Sequence, residues 1–226
     1  MSERPPLRIA PSILSADFAR LADEIAEVAA HVELLHVDVM DGHYVPNLTI
    51  GPMVVSALRA VTDLPLDTHL MIADPRTYGP QFAAAGSTSL TFHPGTDDDP
   101  RGLIDLIHES GAEVGLAVRP RESLDEFAAL LPHVELVLCM TVEPGFAGQA
   151  FMPEVVPKVA EAVARREANG WRYRVEVDGG IGPATVAVCA AAGADTLVAG
   201  SAIFGERDRV GAVRAIREAA LAAAGR

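Results

Sequence analysis

Three short apolar stretches of this 226-residue chain carry ionisable side chains two positions apart. In ELLHVDVM (33–40), His36, Asp38 and Met40 fall on one face of a strand and Leu35, Val37 and Val39 on the other, because strand side chains alternate with period 2. In LDTHLM (66–71), Asp67, His69 and Met71 share a face, and in RVEVDGG (174–180), Arg174, Glu176 and Asp178 do. Ionisable groups on a buried strand are costly unless they are paired, hydrogen-bonded or bound to metal. Two histidines and two aspartates that converge suit a divalent cation with mixed nitrogen and oxygen ligands, or acid–base chemistry. Any one of them taken alone fits equally a hydrogen-bonded polar residue of the core. The spacing does not name a metal.

Glycine clusters form a second constellation. They are Pro144-Gly145-Phe146-Ala147-Gly148-Gln149, then Asp178-Gly179-Gly180, then Gly200-Ser201. Backbone N–H groups in such turns can hold an anion without a basic side chain, and these three loops contain no Lys or Arg. Met40, Met71 and Met140 each end a strand candidate; they are either core filler or an apolar wall beside a reacting centre. His93 ends a further strand candidate and could face the same space. Asp41-Gly42 reads as a turn, His43 as its continuation, and His31, His108 and His133 as structural or exposed.

The elements that must position these residues follow from apolar periodicity. Strands are expected at Leu7–Ile13, Glu33–Val39, Leu66–Met71, Ser89–His93, Val114–Val118, Leu136–Thr141, Arg174–Asp178 and Thr196–Ala199, and helices near 17–30, 52–61, 75–85, 101–110, 122–131, 153–169, 183–192 and 207–224. Asp17, Gly51-Pro52 and Gly182-Pro183 are helix-start signals. Eight strand–helix repeats with no linker imply one α/β domain over 1–226, a (β/α)₈ TIM barrel. A doubly wound open sheet shares the alternation, but no Gly-x-Gly-x-x-Gly follows the first strand. In a barrel the aliphatic faces pack on the helices and the polar pairs point inward, near the C-terminal rim where active sites sit. The glycine clusters then follow strands 6, 7 and 8, and barrels often bind phosphate with the last two of these loops.

Composition narrows the function. A formal charge of −13 argues against a nucleic-acid binder. The N-terminus MSERPPLRIAPS lacks the apolar core of a signal peptide, and no apolar run is long enough for a membrane span. Two cysteines, Cys139 and Cys189, form no disulfide framework, so a cytoplasmic location is expected. The single lysine, Lys158, lies on an amphipathic helix and is expected to be solvated. Schiff-base chemistry needs a desolvated lysine in the site, which argues against a lysine-dependent aldolase or decarboxylase.

APSILSADF (10–18), HVDVMDGHYVPNLTIGP (36–52), DTHLM (67–71), TFH (91–93), MTVEPGFAGQAF (140–151), EVDGGI (176–181) and AGADTLVAGSAIF (192–204) run in order through nearly the whole chain. On these stretches the sequence resembles the ribulose-phosphate 3-epimerase family. The resemblance implies a barrel that interconverts D-ribulose 5-phosphate and D-xylulose 5-phosphate. It implies one divalent cation (Zn, Fe, Mn or Co) on His36, Asp38, His69 and Asp178, with Asp38 and Asp178 as the acid–base pair working through a cis-enediolate. Ser12 and His69 would contact the sugar. Gly145, Phe146, Ala147, Gly148, Gly179, Gly180, Gly200 and Ser201 would hold its phosphate end. A homo-oligomer is implied as well.

Three positions depart from the family pattern. Gly95 stands where Glu is frequent, Arg119-Pro120-Arg121-Glu122 replaces the usual turn after strand 5, and Ala147 replaces a glycine. Ala147, PLDTHLM and the long second block also look like allulose-6-phosphate 3-epimerase, which acts on a six-carbon ketose phosphate. DGGI and GSAIF look more like the pentose enzyme. A non-catalytic sugar-phosphate-binding barrel is the alternative from another class, and opposed carboxylates argue against it.

Overall fold

The computed structural model describes residues 5–225. The alternation becomes eight parallel strands: β1 (Arg8–Pro11), β2 (Leu35–Met40), β3 (Leu66–Met71), β4 (Ser89–Phe92), β5 (Glu113–Val118), β6 (Leu136–Met140), β7 (Arg174–Asp178) and β8 (Thr196–Ala199). Each pairs with its neighbour in sequence from β2 to β8, and β8 pairs with β1. A Ser12–His36 bridge, with the Glu33 N–H donating to the Ile9 carbonyl at 3.4 Å, joins β1 to β2 and all but completes the ring. This is the (β/α)₈ barrel.

Around it run α1 (Leu21–Val28), α2 (Pro52–Arg59), α3 (Pro75–Ala85), α4 (Pro100–Glu109), α5 (Val156–Asn169), α6 (Val186–Ala191), α7 (Ser201–Phe204) and α8 (Arg209–Ala224). Their starts follow from sequence. Asp74, Asp99 and Asp208 each accept a hydrogen bond from a backbone N–H of the first turn, and Pro occupies the first turn of α2, α3, α4 and α5. Among the described residues no helix is long and apolar enough to cross a membrane.

The alternation sorts side chains as expected. Leu35, Val37 and Val39 of β2, and Val175 and Val177 of β7, join Val55, Leu58, Phe82, Ile107 and Val159 of the helices in one buried layer between barrel and helices. Burying each such aliphatic side chain is worth roughly 1.5–3 kcal/mol. The register then fixes the polar face. His36 stands beside Asp67 and Asp38 beside His69 across β2 and β3, while Met140 neighbours Asp178 across β6 and β7.

Four local expectations change. The segment 122–131 forms no α-helix; it makes two short 3₁₀ turns, Leu124–Phe127 and Leu131–His133. A Ser123–Glu126 capping box closes the first turn, and Pro132 supplies no N–H to carry the coil onward. Helix 183–192 shortens to α6, because the Thr185 hydroxyl bonds to the Gly180 carbonyl and the Gly182 N–H and makes the Gly182–Thr185 stretch a turn. The four-residue α7 after β8 was not anticipated. Lys158 is also not solvated: it is half-buried on α5 and donates to the carbonyls of Arg119 and Pro120, tying α5 to the end of β5.

The N-terminal rim is closed by paired charges. Arg166, buried at the end of α5, donates to Asp195 at 2.7 Å and to the Tyr173 carbonyl at 3.1 Å, and Arg174 approaches Asp195 from the other side at 3.3 Å. Removing one partner strands a buried charge. Asp195→Ala is therefore expected to lower unfolding free energy by about 3–5 kcal/mol in chemical denaturation. Asp195→Asn, which keeps an acceptor, costs less. Equal midpoints for wild type and Asp195→Ala would refute this role.

Candidate metal centre and active site

The inward residues of β2, β3 and β7 meet at the C-terminal end of the barrel. His36, Asp38, His69 and Asp178 each present a ligand atom, all within 4.8 Å of one another. His36 Nε2 lies 3.4 Å from Asp38 Oδ1, and His69 Nδ1 lies 3.3 Å from the same oxygen. The other Asp38 oxygen accepts from the Ser12 hydroxyl at 2.6 Å. Ser12 thus orients a carboxylate, whatever else it touches.

A deeper layer holds the first. His36 Nδ1 lies 2.7 Å from Asp67, which turns Nε2 towards Asp38 and the ligand cluster. Asp67 also accepts from Ser89 at 2.6 Å. Glu176 sits 3.5 Å from His36 Nδ1, fully buried. His69 Nε2 lies 3.0 Å from His93 Nε2, and the His93 ring packs on Tyr44. Of these supports, Asp67 and Glu176 stood on the correct faces in the sequence, but only as neighbours of candidate ligands. Tyr44 gave no signal, because its contact with His93 joins two loops remote in sequence.

The donor set fits a divalent cation, on two grounds. Two imidazole nitrogens and two carboxylates converge, and His36 Nε2 is buried with no hydrogen-bond partner. His36, Asp38, His69 and Asp178 are therefore a possible metal site.

Electrostatics set the carboxylates apart. Burial alone would raise Asp38, but the charges and hydrogen bonds of His36 and His69 outweigh it and hold the carboxyl far below the ordinary range. Burial pushes Asp178 up to about 6, helped by the negative charge of Asp38. Burial opposes a charge on His36 as well, yet Asp38 and Asp67 win and raise it well above an ordinary imidazole. Burial and Asp67 drive Glu176 upward, towards its neutral acid.

Above the cluster lies a cavity of about 280 Å³. Asp38, Asp178, Ser12 and all three methionines, Met40, Met71 and Met140, line it. So do Gly145, Phe146, Ala147, Gly148, Gly179, Gly180, Gly200 and Ser201, and no Lys or Arg. His36 and His69 lie beneath this lining. The methionines are at once buried and cavity-facing. The Asn47 amide donates to the Gly145 carbonyl at 3.0 Å, and Gln149 donates to the Glu143 and Phe146 carbonyls, which draws the 144–149 loop over the opening.

Glycine is required at two of these places. Gly179 has φ +121°, and a Cβ there would lie 2.5 Å from the Val142 side chain; at Gly180, with φ +64°, it would meet the Phe151 backbone N at 2.7 Å. Of the departures, Ala147 lines the cavity, and the Arg119 guanidinium lies 5.3 Å from the centre of the Tyr44 ring. Gly95 leaves open space where a Cβ would stand. Asp41 accepts from the N–H groups of His43, Tyr44 and Ala73, a loop-holding role in keeping with its turn reading.

Fold and site together define a (β/α)₈-barrel enzyme whose rim carries paired imidazoles and carboxylates. The chain belongs to the ribulose-phosphate 3 epimerase family, whose model matches residues 8–204. It is 50% identical over 215 residues to a ribulose-phosphate 3-epimerase of Mycobacterium bovis, covering 95% of this chain and 93% of that protein. It is 46% identical over 203 residues to the Escherichia coli ribulose-phosphate 3-epimerase, covering 88% and 90%. The crystal structure of 3-hexulose-6-phosphate synthase from Salmonella typhimurium shares the fold at a TM-score of 0.73 and 19% identity, covering 96% of this chain and 100% of that one.

Protonation couples to any cation bound here. Metal uptake must displace the extra proton that His36 carries and, below about pH 6, the proton of Asp178 as well. Apparent affinity for Zn²⁺ is expected to fall with pH at about tenfold per unit for each proton displaced, and to fall more steeply below pH 6 than above it. Chelator competition across pH 5–8 checks this; a pH-independent affinity would refute it.

Proposed function

We propose that this chain is a metal-dependent isomerase that reversibly epimerises C3 of D-ribulose 5-phosphate to give D-xylulose 5-phosphate. The observation that carries the reading is the pair Asp38 and Asp178, brought from β2 and β7 to the floor of one cavity with ligand atoms within 4.8 Å of each other. Inverting C3 requires a proton to leave one face and another to arrive on the opposite face. Asp38, held ionised by His36 and His69, is positioned on β2 to take the C3 proton from one face, and Asp178, at the end of β7, to deliver a proton to the other. Run backwards, the two exchange roles, so the reaction is reversible.

Loss of the C3 proton puts charge on the C2 oxygen and gives a cis-enediolate. His36, Asp38, His69 and Asp178 would hold a divalent cation, which would supply Lewis-acid stabilisation of that charge. Ser12 fixes the rotation of Asp38 through its 2.6 Å hydrogen bond. Met40, Met71 and Met140 give the cavity an apolar wall, which limits exchange of the transferred proton with water. The glycine loops after β6, β7 and β8 offer backbone N–H groups to the phosphate, so the anchor needs no basic side chain in an acidic protein. Held at that end, the sugar places C3 between the two carboxylates.

A cytoplasmic homo-oligomer is part of the same reading. Leu48 is 76% and Met53 81% exposed beside an apolar recess lined by Ile50, Tyr78 and Phe82, a surface suited to a second copy. Met53→Glu is expected to shift the mass measured by light scattering towards the monomer. An unchanged mass would move the interface elsewhere.

Asp38→Asn and Asp178→Asn, made separately, are each expected to lower kcat by about 10²–10⁴-fold with the fold intact by circular dichroism. Near-wild-type turnover by either would end the two-base scheme. Solvent deuterium should enter C3 of the product, which a barrel that only binds sugar phosphates cannot achieve. Parallel assays on ribulose 5-phosphate and allulose 6-phosphate decide sugar length; a higher kcat/KM for the hexose phosphate would reassign the substrate.

A further inference from the structure

We infer that His93 is a positioning residue for the metal centre: by accepting a hydrogen bond from His69 Nε2–H, it lets His69 Nδ1 turn a lone pair towards the cation. The inference rests on the metal reading above.

His69 faces the ligand cluster through Nδ1, 3.3 Å from Asp38 Oδ1. A nitrogen that binds a cation cannot also carry a proton, so the proton of a ligating neutral His69 sits on Nε2. That atom is buried and needs an acceptor. Its neighbour is His93 Nε2, at 3.0 Å. His93 must then accept at Nε2 and hold its own proton on Nδ1.

His93 Nδ1 is buried and has no hydrogen-bond partner, so nothing on that side draws the ring away from His69. The ring itself is held: it packs on Tyr44 with centroids 4.9 Å apart and on His69 at 5.1 Å, and the Arg119 guanidinium covers the Tyr44 ring. His93 is thus fixed in place beside His69 Nε2.

The test is Zn²⁺ affinity of metal-stripped full-length protein by chelator competition, with melting temperatures of the stripped proteins alongside. His93→Leu removes the acceptor and is expected to weaken Zn²⁺ binding by about 10–100-fold, whereas His93→Gln, whose amide oxygen can accept from His69, recovers most of it. A purely structural His93 would lower the melting temperature and leave the affinity unchanged, which overturns the inference. Imidazole ¹⁵N spectra of the wild-type zinc complex test the same point without any variant. A protonated His93 Nδ1 with an unprotonated Nε2 supports the inference, and a protonated Nε2 overturns it. Wild-type protein that takes up no stoichiometric Zn²⁺ overturns the metal reading and this inference together, whereas wild-type binding matched by His93→Leu overturns this inference alone.

Discussion

Everything at the mouth of this barrel follows from one constraint: charges that the strand alternation forces inward have almost no water to answer them. The aliphatic face of each strand is committed to the helices, so the inward face of β2, β3 and β7 must hold whatever polar groups the sequence places there. Imidazoles and carboxylates then neutralise one another. His36 lies between Asp38 and Asp67, and its charge is what holds both carboxyls below their ordinary range against the burial that would raise them. Burial displaces Asp178 and Glu176 upward, with the negative charges of Asp38 and Asp67 adding to it. The split in acidity between Asp38 and Asp178 is thus a property of position in the ring of strands, not of residue type.

That constraint also explains why the cluster suits a cation. Carboxylates outnumber the imidazole that is driven to carry charge, and the His36 nitrogen aimed at them has no hydrogen bond of its own. A divalent ion answers both deficits at once, by cancelling excess negative charge and taking the place of a proton on the unpartnered nitrogen. The cavity above then needs only neutral chemistry: a methionine wall, a hydroxyl on Asp38, and glycine loops whose backbone reaches the ligand. Gly179 and Gly180 belong to the same economy of space, since any side chain there would collide with Val142 or Phe151.

Much of this was legible in the sequence because it is written in local periodicity. ELLHVDVM, LDTHLM and RVEVDGG each declare which residues face inward, and three of the eight strands carry the expected boundaries unchanged, at Leu66, Arg174 and Thr196. What was not legible depends on contacts between distant segments or on competing local bonds. Lys158 looks like a surface residue of an amphipathic helix; only the fold brings the Arg119 and Pro120 carbonyls to it. His93 looks like the last residue of a strand, and its partners His69 and Tyr44 lie 24 residues away and on another loop. The segment 122–131 has helical composition, but the Ser123–Glu126 box and Pro132 satisfy its backbone in shorter turns.

The two ends of the barrel show where polarity is structural and where it is held in reserve. At the N-terminal rim, Asp195 is matched by Arg166 and Arg174, and the buried Tyr173 hydroxyl donates to the Ala162 carbonyl at 2.7 Å. Glu33 likewise accepts from the Ile9 N–H at 2.8 Å and pairs with Arg217. Those groups are satisfied within the chain, and burial of a satisfied pair serves the fold. Deeper in the barrel and towards its mouth, His36 Nε2, His93 Nδ1 and both Glu176 oxygens are buried without partners. Native interiors tolerate few such atoms. Their concentration around one cluster, beneath one cavity, accords with the possible metal site that His36, Asp38, His69 and Asp178 form there.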